Sequence, residues 1–383
     1  MKKKILIVNK SFELGGVQTA LANMLESLYN DYDITLAVFY PIGPFKDRVP
    51  NNVKILELSP LVSVLGMNGS DCKRNGTFGQ KLFKYLGSAW SKIFGNALPV
   101  KLALMFQRCV GEYDAVISYH QETSSKTLLT GFGEFVLKKT KSNNKIAWIH
   151  ADFMATDLAT KKNLKTYRQF DKIVSVSQTC MNNFVGAYPE LKNKCNYCYN
   201  FVPAQRITEA SLERRNVFAK SDDTVILFSA CRLVEEKGLV PAIKNLIPVW
   251  NDGMKLKWYI AGEGIEREKI EKVISENNLV DKVILLGFQL NPYPFIREAT
   301  YLFLPSLHET FSMVVGEAHV LGTPVIATDM PIMREILNEN DILCPNGDFC
   351  KYIRRIEATN NVYVSCDAVS AAENRFEEII GKC

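Results

Sequence analysis

The sequence predicts an α/β protein built as two doubly wound halves. Three observations carry this reading. Short β-branched apolar runs alternate with stretches of helical spacing, the pattern of a parallel sheet covered on both faces. The alternation runs through the chain twice. Between the two series, residues 200–223 are polar and irregular apart from a short helical stretch, which places a linker there.

First-half strands are predicted at Lys4–Val8, Ile34–Phe39, Val53–Leu56, Ala115–Ser118, Lys145–Ile149 and Lys172–Val176. Second-half strands follow at Thr224–Ala230, Leu256–Ala261, Val283–Leu286, Tyr301–Leu304 and Pro324–Ala327. The domains expected are 1–203 and 204–369, both Rossmann-like, with 370–383 a terminal helix returning to the first by analogy with similar architectures. Ligands of such sheets bind outside the carboxyl ends of the strands, so an interdomain cleft is the expected site.

Composition narrows the class. With 383 residues, 47% hydrophobic and 23% charged, the chain can bury two cores without disulfides. A formal net charge of +5 is too mild to call for nucleic acid, though a local patch can still meet anionic lipid or phosphate. After three lysines come only four apolar residues, Ile5–Val8, too few for a signal peptide or a membrane span. A cytoplasmic location with reduced thiols is expected. The ten cysteines are scattered. Cys195-Asn196-Tyr197-Cys198 is the one CxxC, without a second pair at zinc spacing. The DxD at Asp31-Tyr32-Asp33 falls ahead of a strand, the wrong end for a ligand. No metal and no cofactor are expected.

The most informative stretch is His308–Ala327. Ser312 is a predicted N-cap for a helix over 313–321, which Gly322 stops and Pro324 keeps from resuming. Glu309 precedes that helix, at the positive end where phosphates bind, and Glu317 lies within it. A carboxylate accepts from two hydroxyls at once and so holds a vicinal diol. Glu317 is placed for ribose hydroxyls and Glu309 for a hexose beyond a diphosphate; the plain alternative is a structural Glu317 and a solvated Glu309.

Other candidates fall at strand ends. Arg232 and Lys237 offer a planar fork and a point charge that neutralise a diphosphate and stabilise it as a leaving group. They can equally pair at the surface with Glu235 and Glu236. Gly15-Gly16 opens a helix after the first strand and lets backbone amides approach a diphosphate or an acceptor, unless it is a simple tight turn. Gly262-Glu263-Gly264 supplies another close-approach loop, by itself a generic turn.

Taken together, Gly15-Gly16, Arg232 with Lys237-Gly238, Gly262-Glu263-Gly264, Leu286-Gly287-Phe288 and the Glu309 to Glu317 run resemble the retaining glycosyltransferases of family 4, of the GT-B fold, over nearly the whole chain. The wording Leu286-Gly287-Phe288-Gln289-Leu290-Asn291-Pro292-Tyr293 is similar to members that build bacterial surface polysaccharides. The resemblance implies an acceptor-binding first domain and a donor-binding second. It assigns Arg232 and Lys237 to the donor diphosphate, Glu317 to the ribose and Glu309 to the transferred sugar. Phe311, Ser312, Met313 and Val314 match the segment whose amides meet sugar and phosphates, and Gly287 with Phe288 the base-binding loop. Gly262 and Gly264 join the donor side, and Gly16 lies near phosphate and acceptor. His150 matches a histidine near the reacting carbon, and His120, with Gly15, falls on the acceptor side; without the family, a lone histidine after a strand is as readily a packing residue. His319 is read as a helix packing residue. Thr310 stands where Gly is usual and Ser312 where Gly or Pro is frequent, which bears on the donor sugar. Phe201 after Asn200 departs from the usual Pro or Gly and bears on the linker path.

The activity implied is metal-independent, retaining transfer of a hexose-type sugar from a nucleotide-diphosphate sugar, UDP foremost, to a hydroxyl of a lipid-linked oligosaccharide or polysaccharide. The alternatives are a nucleotide-sugar epimerase of the same fold and a nonenzymatic scaffold binding sugar nucleotide or lipid. Over 81–97, Leu82, Leu86, Ala89, Trp90, Ile93 and Ala97 keep helical spacing, with Lys81, Lys84, Ser88 and Lys92 opposite. Such a helix either lies on an anionic membrane surface, at the inner face of the cell membrane, or packs its apolar stripe on the protein's own sheet with its lysines in solvent.

Overall fold

The computed structural model describes residues 2–13, 15–218, 223–356 and 367–381, with the side chains of 367–370 excepted. The end of the predicted linker, 219–222, lies outside the described residues, as does the stretch 357–366. Contacts divide the chain into two compact units, Met1–Phe201 with Ala371–Cys383, and Val202–Ser370.

The first unit holds β1 (Lys4–Ser11), β2 (Asp33–Tyr40), β3 (Lys54–Leu56), β4 (Ala115–Ser118), β5 (Lys145–Ile149), β6 (Lys172–Ser175) and β7 (Cys195–Tyr197). They form one parallel sheet in the order β3-β2-β1-β4-β5-β6-β7. Its central strands are buried on both faces, with Ile5 to Val8 inaccessible to solvent, as parallel sheets require. Asp114 and Asp171, each just ahead of a strand, accept the backbone N–H of Lys4 and Lys145 at 2.7 and 2.8 Å, fixing where β1 and β5 begin. From Ala371 onward, helix Asp367–Ile380 belongs to this unit. Its Phe376 ring meets Tyr32, Trp148 and Phe201, and Cys198 Sγ lies 3.5 Å from the Ala372 carbonyl.

The second unit holds β8 (Val225–Ala230), β9 (Leu256–Ala261), β10 (Val283–Gly287), β11 (Tyr301–Leu304), β12 (Val325–Thr328) and β13 (Ile342–Cys344), a parallel sheet in the order β10-β9-β8-β11-β12-β13. Trp258 anchors one face, stacking edge-on against Phe303 and donating its indole N–H to Ser229 Oγ at 2.9 Å. Every predicted strand is present within two or three residues of its expected ends. Two were missed, β7 and β13. Both are three-residue edge strands whose residues are mostly half-buried, so no apolar run marks them.

The stretch 81–97 departs from expectation. Helix Phe78–Phe94 starts three residues earlier, on a capping box in which the Thr77 N–H donates to Gln80 Oε1 at 2.9 Å and the Gln80 N–H to Thr77 Oγ1 at 3.4 Å. It stops at Gly95 (φ 83°), and Ala97 begins a second helix, Ala97–Met105. Of the two expected arrangements, the one in which the apolar stripe packs on the protein's own sheet is not the one found. The buried residues are Gln80, Gly87 and Ser91, while Leu82, Leu86, Trp90 and Ile93 face solvent. Lys84 points inward, its Nζ donating to the carbonyls of Met67 at 2.6 Å and Val64 at 3.3 Å, and burial lowers it to about 8. Among the described residues, no helix is long and apolar enough to cross a membrane.

Candidate functional site

In the second unit the candidates gather at the carboxyl ends of β8 to β11. The chain leaves β8 through Cys231 and Arg232, makes a single 3-10 turn over Glu235–Lys237, and enters helix Leu239–Asn251 at Gly238. Gly238 is left-handed (φ 63°), and a Cβ there would stand 2.1 Å from the Pro305 carbonyl, so only glycine allows this approach. The approach joins the loop after β8 to the loop after β11. Leu307 N donates to the Glu236 carbonyl at 2.8 Å, and Lys237 Nζ reaches Glu309 Oε1 at 2.6 Å. Ser306 Oγ donates to the same Oε1 at 3.0 Å.

The predicted cation pair is therefore unequal. Lys237 is largely buried and held by Glu309, a partner other than the Glu235 and Glu236 of the plain alternative. Arg232 has 73% of its side chain in solvent, with Glu236 no nearer than 3.9 Å. Its loop is gripped from behind by β9, where Cys231 N donates to Ala261 O at 3.0 Å and Leu233 N to Glu263 O at 2.9 Å. Gly262 and Gly264 serve that grip: a Cβ would meet the Cys231 carbonyl at 1.8 Å and the Leu233 carbonyl at 2.2 Å. Their close approaches are to the Arg232 loop. Gly287 (φ 71°) accepts from Gly262 N at 2.9 Å.

Phe288 is exposed beside it, and so are Ile265, Leu290 and Leu307, each in a loop following a strand of this sheet. In the sequence Leu290 stood out only as part of the Leu286 to Tyr293 run, and Ile265 and Leu307 fell in no motif.

Helix Met313–Val320 has Ser312 at its N-cap position, but the Ser312 side chain makes no capping hydrogen bond, contrary to its predicted role. Thr310, Phe311, Met313 and Val314 lead into and begin the helix, half-buried. Glu317 is buried, with the Tyr293 hydroxyl 3.5 Å from its Oε1. Arg206, from helix Ala204–Ser211, lies over the Tyr293 ring at 5.5 Å, with both terminal nitrogens 3.4 Å from the hydroxyl. Arg206 carried no signal in the sequence, and Tyr293 only as the last residue of the Leu286 to Tyr293 run. His319 packs as expected and bonds through Nε2 to Asp341 at 2.8 Å.

In the first unit, Gly15 precedes and Gly16 opens helix Gly16–Leu28; a Cβ on Gly16 would meet nothing within 4 Å, whereas one on Gly15 would stand 2.6 Å from the end of the flexible Gln18 side chain. At the end of β5, His150 bonds through Nε2 to the Tyr119 carbonyl at 2.9 Å, and its backbone N–H donates to Gln121 Oε1 at 3.3 Å. A carbonyl only accepts, so Nε2 carries the proton. Burial, reinforced by His120, pushes His150 down to about 3, so the ring is neutral and Nδ1 is an acceptor. His120 is pushed down to about 4 by burial and then by Lys10, and its Nδ1 is buried without a partner.

Glu122 follows two residues later and was missed. It accepts from Thr130 Oγ1 at 2.8 Å and Gly133 N at 2.7 Å, and burial, with Glu134 nearby, raises it to about 7. It ties the loop after β4 to helix Phe132–Lys139.

Residues 211–368 match the family model described as glycosyl transferases group 1. An uncharacterized glycosyltransferase of Methanocaldococcus jannaschii is 27% identical over 244 residues, 61% of this chain and 58% of that protein. The O-antigen biosynthesis glycosyltransferase WclY of Escherichia coli is 27% identical over 171 residues, covering 44% and 46%. An N-acetylgalactosamine-N,N'-diacetylbacillosaminyl-diphospho-undecaprenol 4-alpha-N-acetylgalactosaminyltransferase of Campylobacter jejuni is 29% identical over 163 residues, covering 43% and 42%. The chain thus spans about half the length of the curated relatives it matches. Among solved structures, Anabaena HepE with UDP and glucose superposes with a TM-score of 0.66 at 16% identity over 98% of this chain and 95% of that one. TarM of S. aureus, in complex with UDP, gives 0.62 at 15% over 99% and 97%. These likenesses establish the GT-B fold.

Proposed function

We propose that the chain is a retaining glycosyltransferase of family 4 that moves a hexose-type sugar from a UDP sugar to a hydroxyl of a lipid-linked oligosaccharide or polysaccharide, without a metal, at the inner face of the cell membrane. The observation that carries this reading is the joining of Lys237 and Glu309 by two stitched loops, beside Arg232 and ahead of the helix bearing Glu317. All of these lie within the segment that matches the group 1 model. Support for the donor comes from HepE, solved with UDP and glucose, and support for the acceptor from the Campylobacter relative, whose name specifies a diphospho-undecaprenol saccharide.

In this reading the donor sits on the second unit. The Phe288 loop receives the base, Glu317 the ribose, Arg232 and Lys237 the diphosphate, and Glu309 the sugar. Gly15, Gly16, His120 and His150 of the first unit serve the acceptor side. The acceptor oxygen attacks the anomeric carbon on the face the diphosphate leaves. The carbon–oxygen bond to phosphate breaks, and the acceptor proton passes to the departing phosphate oxygen. Arg232, Lys237 and the amides at residues 311–314 stabilise the charge that develops there. His150 orients a sugar hydroxyl through Nδ1, and with its basicity pushed down to about 3 it does not retain the proton.

A thermal-shift series with UDP, GDP and ADP sugars tests the donor, since a ligand of the native state raises Tm. Incubation with the bound sugar nucleotide and a lipid-linked saccharide should give a product whose anomeric proton coupling matches the donor's. An inverted product, or isomerised donor formed without acceptor, would refute the reading.

A further inference from the structure

The helices Phe78–Phe94 and Ala97–Met105 present exposed apolar and cationic side chains that no described residue of the first unit covers. Phe78, Tyr85, Ile93 and Phe94 are 84, 74, 74 and 68% exposed, and Met105 and Phe106, at the end of the second helix, are exposed as well. This is the reverse of ordinary amphipathic packing, where the large apolar stripe goes inward. The inward stripe here is small and polar. Gly87 lies so close to Leu128 that a Cβ would stand 2.8 Å from its side chain, Gln80 donates to the Pro60 carbonyl at 2.8 Å, and Lys84 binds two carbonyls beneath the helix. The orientation is therefore fixed by specific contacts on the buried side. A Trp90–Phe94 ring pair at 4.6 Å lies on the outer side.

Charge selects the occupant. From Cys72 to Gly111 the chain has no Asp or Glu, but it carries Lys73, Arg74, Lys81, Lys84, Lys92, Lys101 and Arg108, of which all but Lys84 are exposed. A second copy of this face would meet it with like charge. An anionic bilayer offers hydrocarbon for the apolar side chains, a headgroup layer for Tyr85 and Trp90, and negative charge for the cations at the rim.

We propose that this two-helix face is a docking plate for an anionic lipid surface, with Phe78, Tyr85, Leu86, Trp90, Ile93 and Phe94 entering the interface and Lys81, Lys92 and Lys101 meeting lipid headgroups. This deepens the function proposed above by naming the surface that meets the membrane, and it rests on that reading only for why a membrane is sought.

Trp90 reports on it directly, because Trp148, Trp250 and Trp258 are buried. The full chain is mixed with vesicles of phosphatidylcholine, with and without phosphatidylglycerol. Binding to the anionic vesicles is expected to shift Trp90 emission to the blue and to weaken with salt. I93D/F94D and K81E/K92E/K101E are expected to lower the partition coefficient at least about tenfold each, with Tm and the thermal shift by UDP unchanged, since all five side chains are exposed. Wild-type protein left in the supernatant with anionic vesicles would overturn the proposal. So would undiminished binding by both variants, or a dimer that F94D dissociates without affecting vesicle binding. Vesicle binding by a protein that ignores every sugar nucleotide would leave the plate standing and sink the transferase reading; UDP-sugar binding without vesicle binding would do the reverse.

Discussion

Lys237 Nζ and Glu309 Oε1 are 2.6 Å apart in a largely buried pair, so the cation assigned to the leaving group and the carboxylate assigned to the sugar begin as partners of each other. A diphosphate arriving at Lys237 has to compete with that carboxylate, or share the ammonium's three donors with it.

Glu309→Gln separates binding from turnover. It removes the competing charge and keeps the shape, so UDP affinity measured by calorimetry is expected to hold or rise. Transfer is expected to fall at least about tenfold through loss of a charge-assisted contact to the sugar. A parallel loss of UDP affinity would contradict the assignment.

Arg232 and Lys237 are expected to fail differently. Arg232→Ala removes an exposed side chain and should change stability by no more than about 0.5 kcal/mol, while raising the donor KM in a manner that fades with salt. Lys237→Ala leaves Glu309 with the Ser306 hydroxyl alone, and denaturant titration should show a loss of roughly 1–3 kcal/mol. Equal stability of the two variants would show that the buried pair contributes nothing.

Two glycines test backbone approach against ligand approach. At Gly262 a Cβ would stand 1.8 Å from the Cys231 carbonyl and the backbone sits at φ 149°, so Gly262→Ala should cost on the order of 2 kcal/mol and displace Arg232. At Gly16 a Cβ meets nothing within 4 Å, so Gly16→Ala should leave Tm unchanged. Any activity Gly16→Ala loses at constant Tm then reports a substrate at that position.

Glu122 predicts a pH dependence of stability. Its folded value, about 7, lies above the ordinary 4.5, because burial and Glu134 penalise the charged form. Between those values the folded state keeps a proton that the unfolded state has released. Stability is therefore present in full below about pH 4.5 and lost as pH rises toward about 7, by on the order of 1–3 kcal/mol. Glu122→Gln does not ionise, and its Tm relative to wild type should improve from pH 5 to pH 8. A difference that stays constant with pH would remove Glu122 as the cause.

The strands were legible wherever a buried run of β-branched residues exists, because a parallel sheet covered on both faces requires one. The edge strands Cys195–Tyr197 and Ile342–Cys344 leave no such mark. Periodicity found the stripe on helix Phe78–Phe94 but could not say which side faces inward; Gly87 against Leu128 and Lys84 against the Met67 carbonyl decide that, and both are contacts distant in sequence. The same limit hid Glu122, whose partners Thr130 and Gly133 lie across a loop, and Arg206, which acquires meaning only beside Tyr293. The resemblance set Lys237 and Glu309 on one donor, but their direct pairing rests on contacts between two loops distant in sequence.

The bond from Leu307 to the Glu236 carbonyl, with Gly238 seated on Pro305, has a consequence for loop grafting. Residues 231–238 and 305–309 form one cassette despite their separation in the chain. A chimera that imports either loop alone from a relative loses the seam and with it the placement of its own lysine or glutamate, whereas exchange of both together keeps the junction.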